Sequence, residues 1–238
     1  MKNILGICLI VALIVGCAGE DENFSTPMIR VAKKARRSGN TEAAVNFYNK
    51  ALEKDPDNVE AFLGLAEVYI DLKLLDAASE YIKKAENVGG DVSRSSYLRG
   101  KICLLSGDSV CAEKEFLKGT SIDSLNALGA VYDNRGDHKK AQMLYKQVIA
   151  KDPNYIDAYN NIGLSLMLCD KYEEAIFYLE NACTLPGANV AYRSNLALAY
   201  GLHGDLEKAK SVYSQDFDGD ELEEKMSYLE DIISTRQQ

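Results

Sequence analysis

Between Ile122 and Tyr155 apolar residues return twice at helical spacing. Leu125, Leu128, Gly129 and Tyr132 share one face of a first segment, and Ala141, Leu144, Tyr145 and Val148 share one face of a second. Arg135-Gly136-Asp137 separates the two, and Asp152-Pro153 stops the second. The pattern predicts a helical hairpin. Laid along the chain in steps of 34 residues, the same block gives six registers beginning at Ser25, Val59, Ser93, Ile122, Ile156 and Val190, with one short step of 29 between Ser93 and Ile122. The eighth place of each copy holds Ala32, Ala66, Gly100, Gly129, Gly163 and Ala197, and the twentieth holds Ala44, Ala78, Ala112, Ala141, Ala175 and Ala209. Both places are where two helices of a hairpin have to cross closely, so the repetition is structural.

The period and the L-G, Y, A and P places resemble the tetratricopeptide repeat (TPR). That resemblance implies an all-α fold, a right-handed α-solenoid of about six TPR helical hairpins over residues 25–217, with a C-terminal capping helix and tail over 218–238. A bulky side chain at either crossing would overpack it, at a cost of about 1 to 3 kcal/mol. Three departures are visible: the family's tryptophan place is never Trp, Arg99 stands where Leu is usual, and the third copy lacks its terminal loop. The last segment carries Leu222, Met226, Leu229 and Ile233 on one stripe, with Glu221, Glu223, Glu224 and Glu230 left for water, as a solenoid end requires.

Composition narrows the chemistry. The chain has 238 residues, 47% of them hydrophobic, and a formal net charge of −9. It can bury a long core, which the repeats make linear, and its acidity argues against a nucleic-acid partner, which needs clustered Lys and Arg. Catalysis finds no support: both histidines, His138 and His203, fall at hairpin turns, no phosphate loop or nucleophile motif is present, and the carboxylates are scattered. No enzyme activity, cofactor or small-molecule substrate is expected. The run Asp216-Phe217-Asp218-Gly219-Asp220 resembles a calcium loop, but Gly219 comes too early for that spacing and no bidentate Glu follows in place; it reads as a helix N-cap. No CxxC occurs, so no metal site is expected.

The N-terminus changes the setting. Met1-Lys2-Asn3 is a short positive region, Ile4 to Val15 an apolar run, and Ile14-Val15-Gly16-Cys17 a small-residue junction ending in cysteine. The run is shorter than the about 17 to 25 residues of a membrane span and fits a signal peptide, residues 1–16. The junction resembles the lipobox of bacterial lipoproteins, which implies that Cys17 is acylated and becomes the first residue, followed by an acidic tether to residue 24. Several acyl chains would anchor the protein stably. Ala18, in place of the Asp that signals inner-membrane retention, implies an outer-membrane anchor facing the periplasm.

Two clusters offer binding chemistry. Lys33, Lys34, Arg36 and Arg37 form a basic group on the first helix, open to anionic head groups or an acidic partner, or else a solvated face at a helix C-terminus. Asn161 and Asn195 stand one period apart, as do Asn126 and Asn160, on the face that TPR proteins turn toward their groove. Leu164, Met167, Leu168, Leu198 and Leu202 lie around them. Together they describe a peptide-binding groove with amides for a peptide backbone and an apolar floor for its side chains, although several of these apolar residues could equally pack only against the next repeat. Cys103 and Cys111 fall on the two helices of the third copy, where a disulfide can span the hairpin; with Cys169 and Cys183 three full pairings are open.

The last third of the chain carries a finer resemblance. Arg193-Ser194-Asn195-Leu196-Ala197-Leu198-Ala199-Tyr200-Gly201-Leu202, followed by Gly204-Asp205, is similar to the closing segment of the TadD family, TPR lipoproteins of Flp-type (tight adherence) pilus assembly. The resemblance implies a pilotin-like scaffold that helps an outer-membrane secretin assemble, through protein–protein contacts. An alternative in the same class is a periplasmic adaptor for cell-wall enzymes or envelope assembly.

Overall fold

The structure is a computed structural model that describes residues 25–236; the expected signal segment, Cys17, the expected tether and the last two residues lie outside the described residues. Thirteen helices follow one another, and no strand occurs among the described residues. Six hairpins come first: α1 Ser25–Arg37 with α2 Thr41–Lys54, α3 Val59–Asp71 with α4 Leu75–Asn87, α5 Val92–Leu105 with α6 Ser109–Phe116, α7 Ile122–Asn134 with α8 His138–Lys151, α9 Ile156–Met167 with α10 Tyr172–Thr184, and α11 Val190–His203 with α12 Leu206–Tyr213. A longer helix, α13, runs Gly219–Arg236. Each helix packs on its neighbours in sequence, the arrangement of an α-solenoid.

The local sequence explains these boundaries. The first helix of a hairpin starts at the expected register residue in five repeats; α5 starts one residue earlier, at Val92, because the Asp91 side chain accepts from Ser93 N and caps it there. Asn40, Asp108, Asp137 and Asp205 cap the second helices of four hairpins in the same way. The fifteenth place of every repeat is left-handed: Gly39, Gly107, Gly136 and Gly204 supply it in four, while Lys73 and Asp170 hold φ of 60° and 57° in the others.

All six alanines at the twentieth place are fully buried. The glycines of the eighth place face a large residue of their own hairpin, sixteen positions on. A methyl group on Gly129 would sit 2.5 Å from Tyr145 Cε1, and one on Gly163 2.5 Å from Leu179 Cγ. Arg99, at the place of the usual leucine, reaches Glu86 and puts Nε 3.1 Å from Glu115 Oε2. Glu115 is only 9% exposed, so the arginine answers a carboxylate that the repeat pattern does not call for.

The solenoid has a joint in its middle. Helices α1, α3 and α5 touch in turn, as do α7, α9 and α11, but α5 and α7 make at most a marginal contact. The joint falls at the short third repeat, where α6 has 8 residues against 14 in α8. A disulfide joins Cys103 to Cys111 across this hairpin, with Cα atoms 5.7 Å apart; Cys169 and Cys183 are free.

Candidate protein-binding face

The second helices and the neighbouring repeats use up the inward sides of the first helices. What remains is a row of side chains at about the second, fifth and ninth places and one turn beyond, and the joint divides this row into two unlike halves.

The first half is closed by charge pairs. Lys33 Nζ lies 2.6 Å from Glu60 Oε1, Arg36 Nε lies 2.7 Å from Asp71 Oδ2 and its Nη1 2.5 Å from Glu67 Oε2, and Arg94 bonds both Glu60 and Glu67. One network therefore links three repeats. Burial pushes the Glu60 carboxyl up, but Arg94 and Lys33 outweigh it and hold the group below the usual glutamate value. The expected basic face is corrected here: Lys33 and Arg36 are spent on carboxylates of α3, because opposite charges at the same places of adjacent repeats meet across the helix row. Lys33, Lys34 and Arg37 are exposed, and Arg36 is half-buried.

The second half is built of amides, carboxylates and leucines. Asn195 Nδ2 donates to Asn160 Oδ1 at 2.8 Å, Asn160 Nδ2 to Asn161 Oδ1 at 3.4 Å, and Asn161 Nδ2 to Asn126 Oδ1 at 3.1 Å. The four asparagines thus form a ladder through three repeats, with Asn160 only 8% exposed. Toward the first turn of the same helices, Asp123 accepts from Tyr155 Oη at 2.7 Å and Asp157 from Tyr192 Oη at 2.5 Å. Among the described residues no ion pair includes either carboxylate. Tyr97 of α5, on the other side of the joint, has its hydroxyl pushed up to about 12 by burial and by the charges of Asp123, Glu67 and Asp157.

Toward the other end of α9 and α11, Leu164, Met167, Leu168, Leu198 and Leu202 line a cleft of about 350 Å³. Ile232 and Arg236 of α13 form its far wall. Arg236 Nη1 lies 2.6 Å from Tyr172 Oη and 3.3 Å from Asp170 Oδ1, so the last turn of α13 is tied to the turn of the fifth hairpin. Leu229, the buried residue of α13, packs on Gly201, where a methyl group would come within 2.6 Å of Leu229 Cδ2.

Sequence reasoning reached the asparagines and leucines but not the bonds among the amides, which donate to one another along the face. It missed Asp123 and Asp157, whose signal was an acid at the second place in adjacent copies. It also missed Ile232 and Arg236, the latter 64 and 66 positions from Tyr172 and Asp170, for which only the apolar stripe of α13 gave a hint. His138 Nδ1 lies 2.8 Å from Asp133 Oδ1, which also accepts from Ser165 Oγ at 2.6 Å. The carboxylate stands between serine and imidazole, so His138 does not reach the hydroxyl. Among the described residues no group of three or more His, Cys, Asp or Glu is arranged to hold a metal ion, and no helix is long and apolar enough to cross a membrane.

Tetratricopeptide-repeat family patterns match residues 35–102, 124–154 and 144–177. The chain is a tetratricopeptide-repeat protein. Among solved structures, this TPR chain is similar to PilW, a widely conserved type IV pilus biogenesis factor, with a TM-score of 0.69 at 19% identity over 84% of this chain and 97% of that one. It is similar also to PilF of Pseudomonas aeruginosa, with a TM-score of 0.64 at 20% identity over 80% of this chain and 89% of that one. At such identity these likenesses speak to the fold. The BBSome complex member BBS4 homolog of Drosophila melanogaster is 24% identical over 172 residues, 72% of this chain and 30% of that protein. The chain spans about a third of the length of the curated relatives it matches.

Proposed function

We propose that the protein is a lipid-anchored TPR scaffold, pilotin-like, that helps a Flp-type pilus secretin assemble at the outer membrane from the periplasmic side. TPR proteins work by binding other proteins, and the pilus-biogenesis neighbours favour that setting. One observation carries the finer reading. The segment on which the TadD resemblance rests is the segment that builds the open half of the face: Asn195 starts the ladder, Leu198 and Leu202 line the cleft, and Gly201 seats α13. Arg193 fixes the segment by a two-pronged bond to Asp216, with Nε 2.6 Å from Oδ2 and Nη2 2.5 Å from Oδ1.

Two experiments test this reading. Leu198→Gln with Leu202→Gln wets the cleft without touching a helix crossing, and should abolish secretin capture from detergent extracts while helicity is kept. Full capture and normal pili in that variant would end the proposal. Cys17→Ser should leave an unprocessed or soluble precursor, read by fractionation and acyl labelling; unchanged cleavage and membrane association would remove the lipid anchor and the outer-membrane placement with it.

A further inference from the structure

We infer that the α7–α11 half of the face accepts an amphipathic helix with one apolar stripe and one basic edge, laid over the asparagine ladder with its apolar side in the leucine cleft and its cations beside Asp123 and Asp157. The inference rests on the scaffold reading and specifies the chemistry of the bound segment.

Three observations carry it. First, the floor is partly taken up with itself. Three hydrogen bonds run between the four asparagines, so Asn160 and Asn161 each spend one N–H and one lone pair inside the ladder, and Asn160 is buried there. An extended strand would bring its own unpaired N–H and C=O groups to this floor, and burying them without partners is costly. A helix brings a backbone that is already paired.

Second, the two edges lie a helix width apart. On α9 the positions 157, 160, 161, 164 and 168 follow one another along a single face, so the acid, the amides and the leucines are met in that order. Asp157 is seven and eleven residues from Leu164 and Leu168, about 10 and 16 Å along the axis at 1.5 Å per residue, while a helix with its side chains is about 10 to 12 Å across. A helix lying along the row of first helices would present one edge to the carboxylates and the other to the cleft.

Third, the charges choose the sign. Asp123 and Asp157 accept only from tyrosine hydroxyls, whereas Glu60, Glu67 and Asp71 in the other half are all taken by Lys33, Arg36 and Arg94. A cation delivered to Asp123 or Asp157 displaces nothing, while an acidic edge would be repelled.

The probe is an 18-residue peptide of Leu and Lys with the leucines on one helical stripe. It is compared with the same pattern in Leu and Glu and with a Leu/Lys peptide of the same composition without the stripe. Binding is read by fluorescence anisotropy to the full-length protein in nanodiscs of neutral phosphatidylcholine, with empty nanodiscs as the blank. The striped Lys peptide should bind most tightly and weaken with added salt. Asp123→Asn with Asp157→Asn keeps both tyrosine hydrogen bonds and should weaken it about three- to tenfold. Glu223→Gln with Glu224→Gln, on the solvent side of α13, removes the same net charge and should change nothing. Equal losses from both double variants would mean a response to net charge alone and would overturn the inference, as would equal binding of the Lys and Glu peptides or of the striped and unstriped ones. These outcomes are distinct from failure of the scaffold reading, which is decided by secretin capture in the Leu198→Gln, Leu202→Gln variant.

Discussion

Arg99 shows how a single departure from the repeat pattern is absorbed. Its guanidinium spans Glu86 on α4 and the nearly buried Glu115 on α6, and Lys118 Nζ completes the pairing 2.5 Å from Glu115 Oε1. Arg99→Leu would restore the usual residue of the family yet leave Glu115 short of a partner, and should cost about 1 to 3 kcal/mol in thermal denaturation. Adding Glu115→Leu should recover most of the loss, since removing both charges also removes the need to pair them. A neutral single variant would show that Lys118 suffices. The charge network of the first half makes a pH prediction of definite sign. Glu60 titrates below its usual value in the fold, so its contribution is complete above the ordinary glutamate range and is lost as the pH falls through the lower folded value. Melting temperature should therefore fall on acidification below about pH 4.3. Arg94→Gln should melt lower at neutral pH, by the about 0.5 to 1 kcal/mol such a half-exposed group of pairs is worth, and should lose less on acidification. Parallel curves for the two proteins would place the acid sensitivity elsewhere.

At the scale of the helix, the crossing rule and the end cap can be tested separately. Ala141 is fully buried at its crossing while Lys140 beside it is exposed. Ala141→Leu should destabilise by about 1 to 3 kcal/mol by overpacking, and Lys140→Leu should stay near neutral. Equal losses would mean a wrong register. Leu229→Ala empties the contact that seats α13 on Gly201 and should cost about 2 to 4 kcal/mol. That loss should appear as early release of α13, seen by limited proteolysis near Gly219, with the hairpins intact; cleavage spread over the hairpins would mean that α13 is part of one cooperative core. These elements also mark what was legible in the sequence. The hairpins were, because small residues at the eighth and twentieth places recur with the period and nothing but close helix crossing explains both. The stripe of α13 was, because Leu222, Met226, Leu229 and Ile233 follow helical spacing. The contacts made by Arg236 were not, because they join segments 64 and 66 residues apart and carry no period, and the place of Ile232 beside the cleft follows from them. The asparagines were found but not their mutual bonds: periodic spacing says that equal groups line up from repeat to repeat, and a lined-up row of amides can bond itself as well as a ligand.

At the scale of the whole molecule the row of first helices is interrupted at the third repeat, and a small apolar cluster around Phe116, Leu128 and Val131 bridges the interruption. One continuous apolar core runs from Ala141 to Leu229, through α8 to α13, whereas the part before it is divided among three smaller clusters. In a linear array stability is approximately the sum of repeat and neighbour terms, so the weakest neighbour contact sets where cooperativity breaks. Among the first helices that contact is between α5 and α7, beside the 8-residue α6, and the disulfide between Cys103 and Cys111 adds a covalent tie to the packing of Phe116 on Gly100 in this hairpin. With a sequence separation of 8 between its cysteines, the bond closes a short loop worth about 2 to 3 kcal/mol in the chain-entropy account. Hydrogen exchange should therefore show its strongest protection over α8 to α11, and reduction with dithiothreitol should speed exchange in α5 and α6 first while leaving α9 and α11 almost unchanged. Cys103→Ser should reproduce the reduced pattern without reductant, which separates the disulfide from any effect on the free Cys169 and Cys183. Because the asparagine ladder and the leucine cleft lie wholly on the far side of the joint, peptide binding by the Cys103→Ser protein should match that of the wild type. Uniform acceleration of exchange along all thirteen helices, together with lost binding, would show instead that the solenoid unfolds as one unit and that the joint has no independent motion.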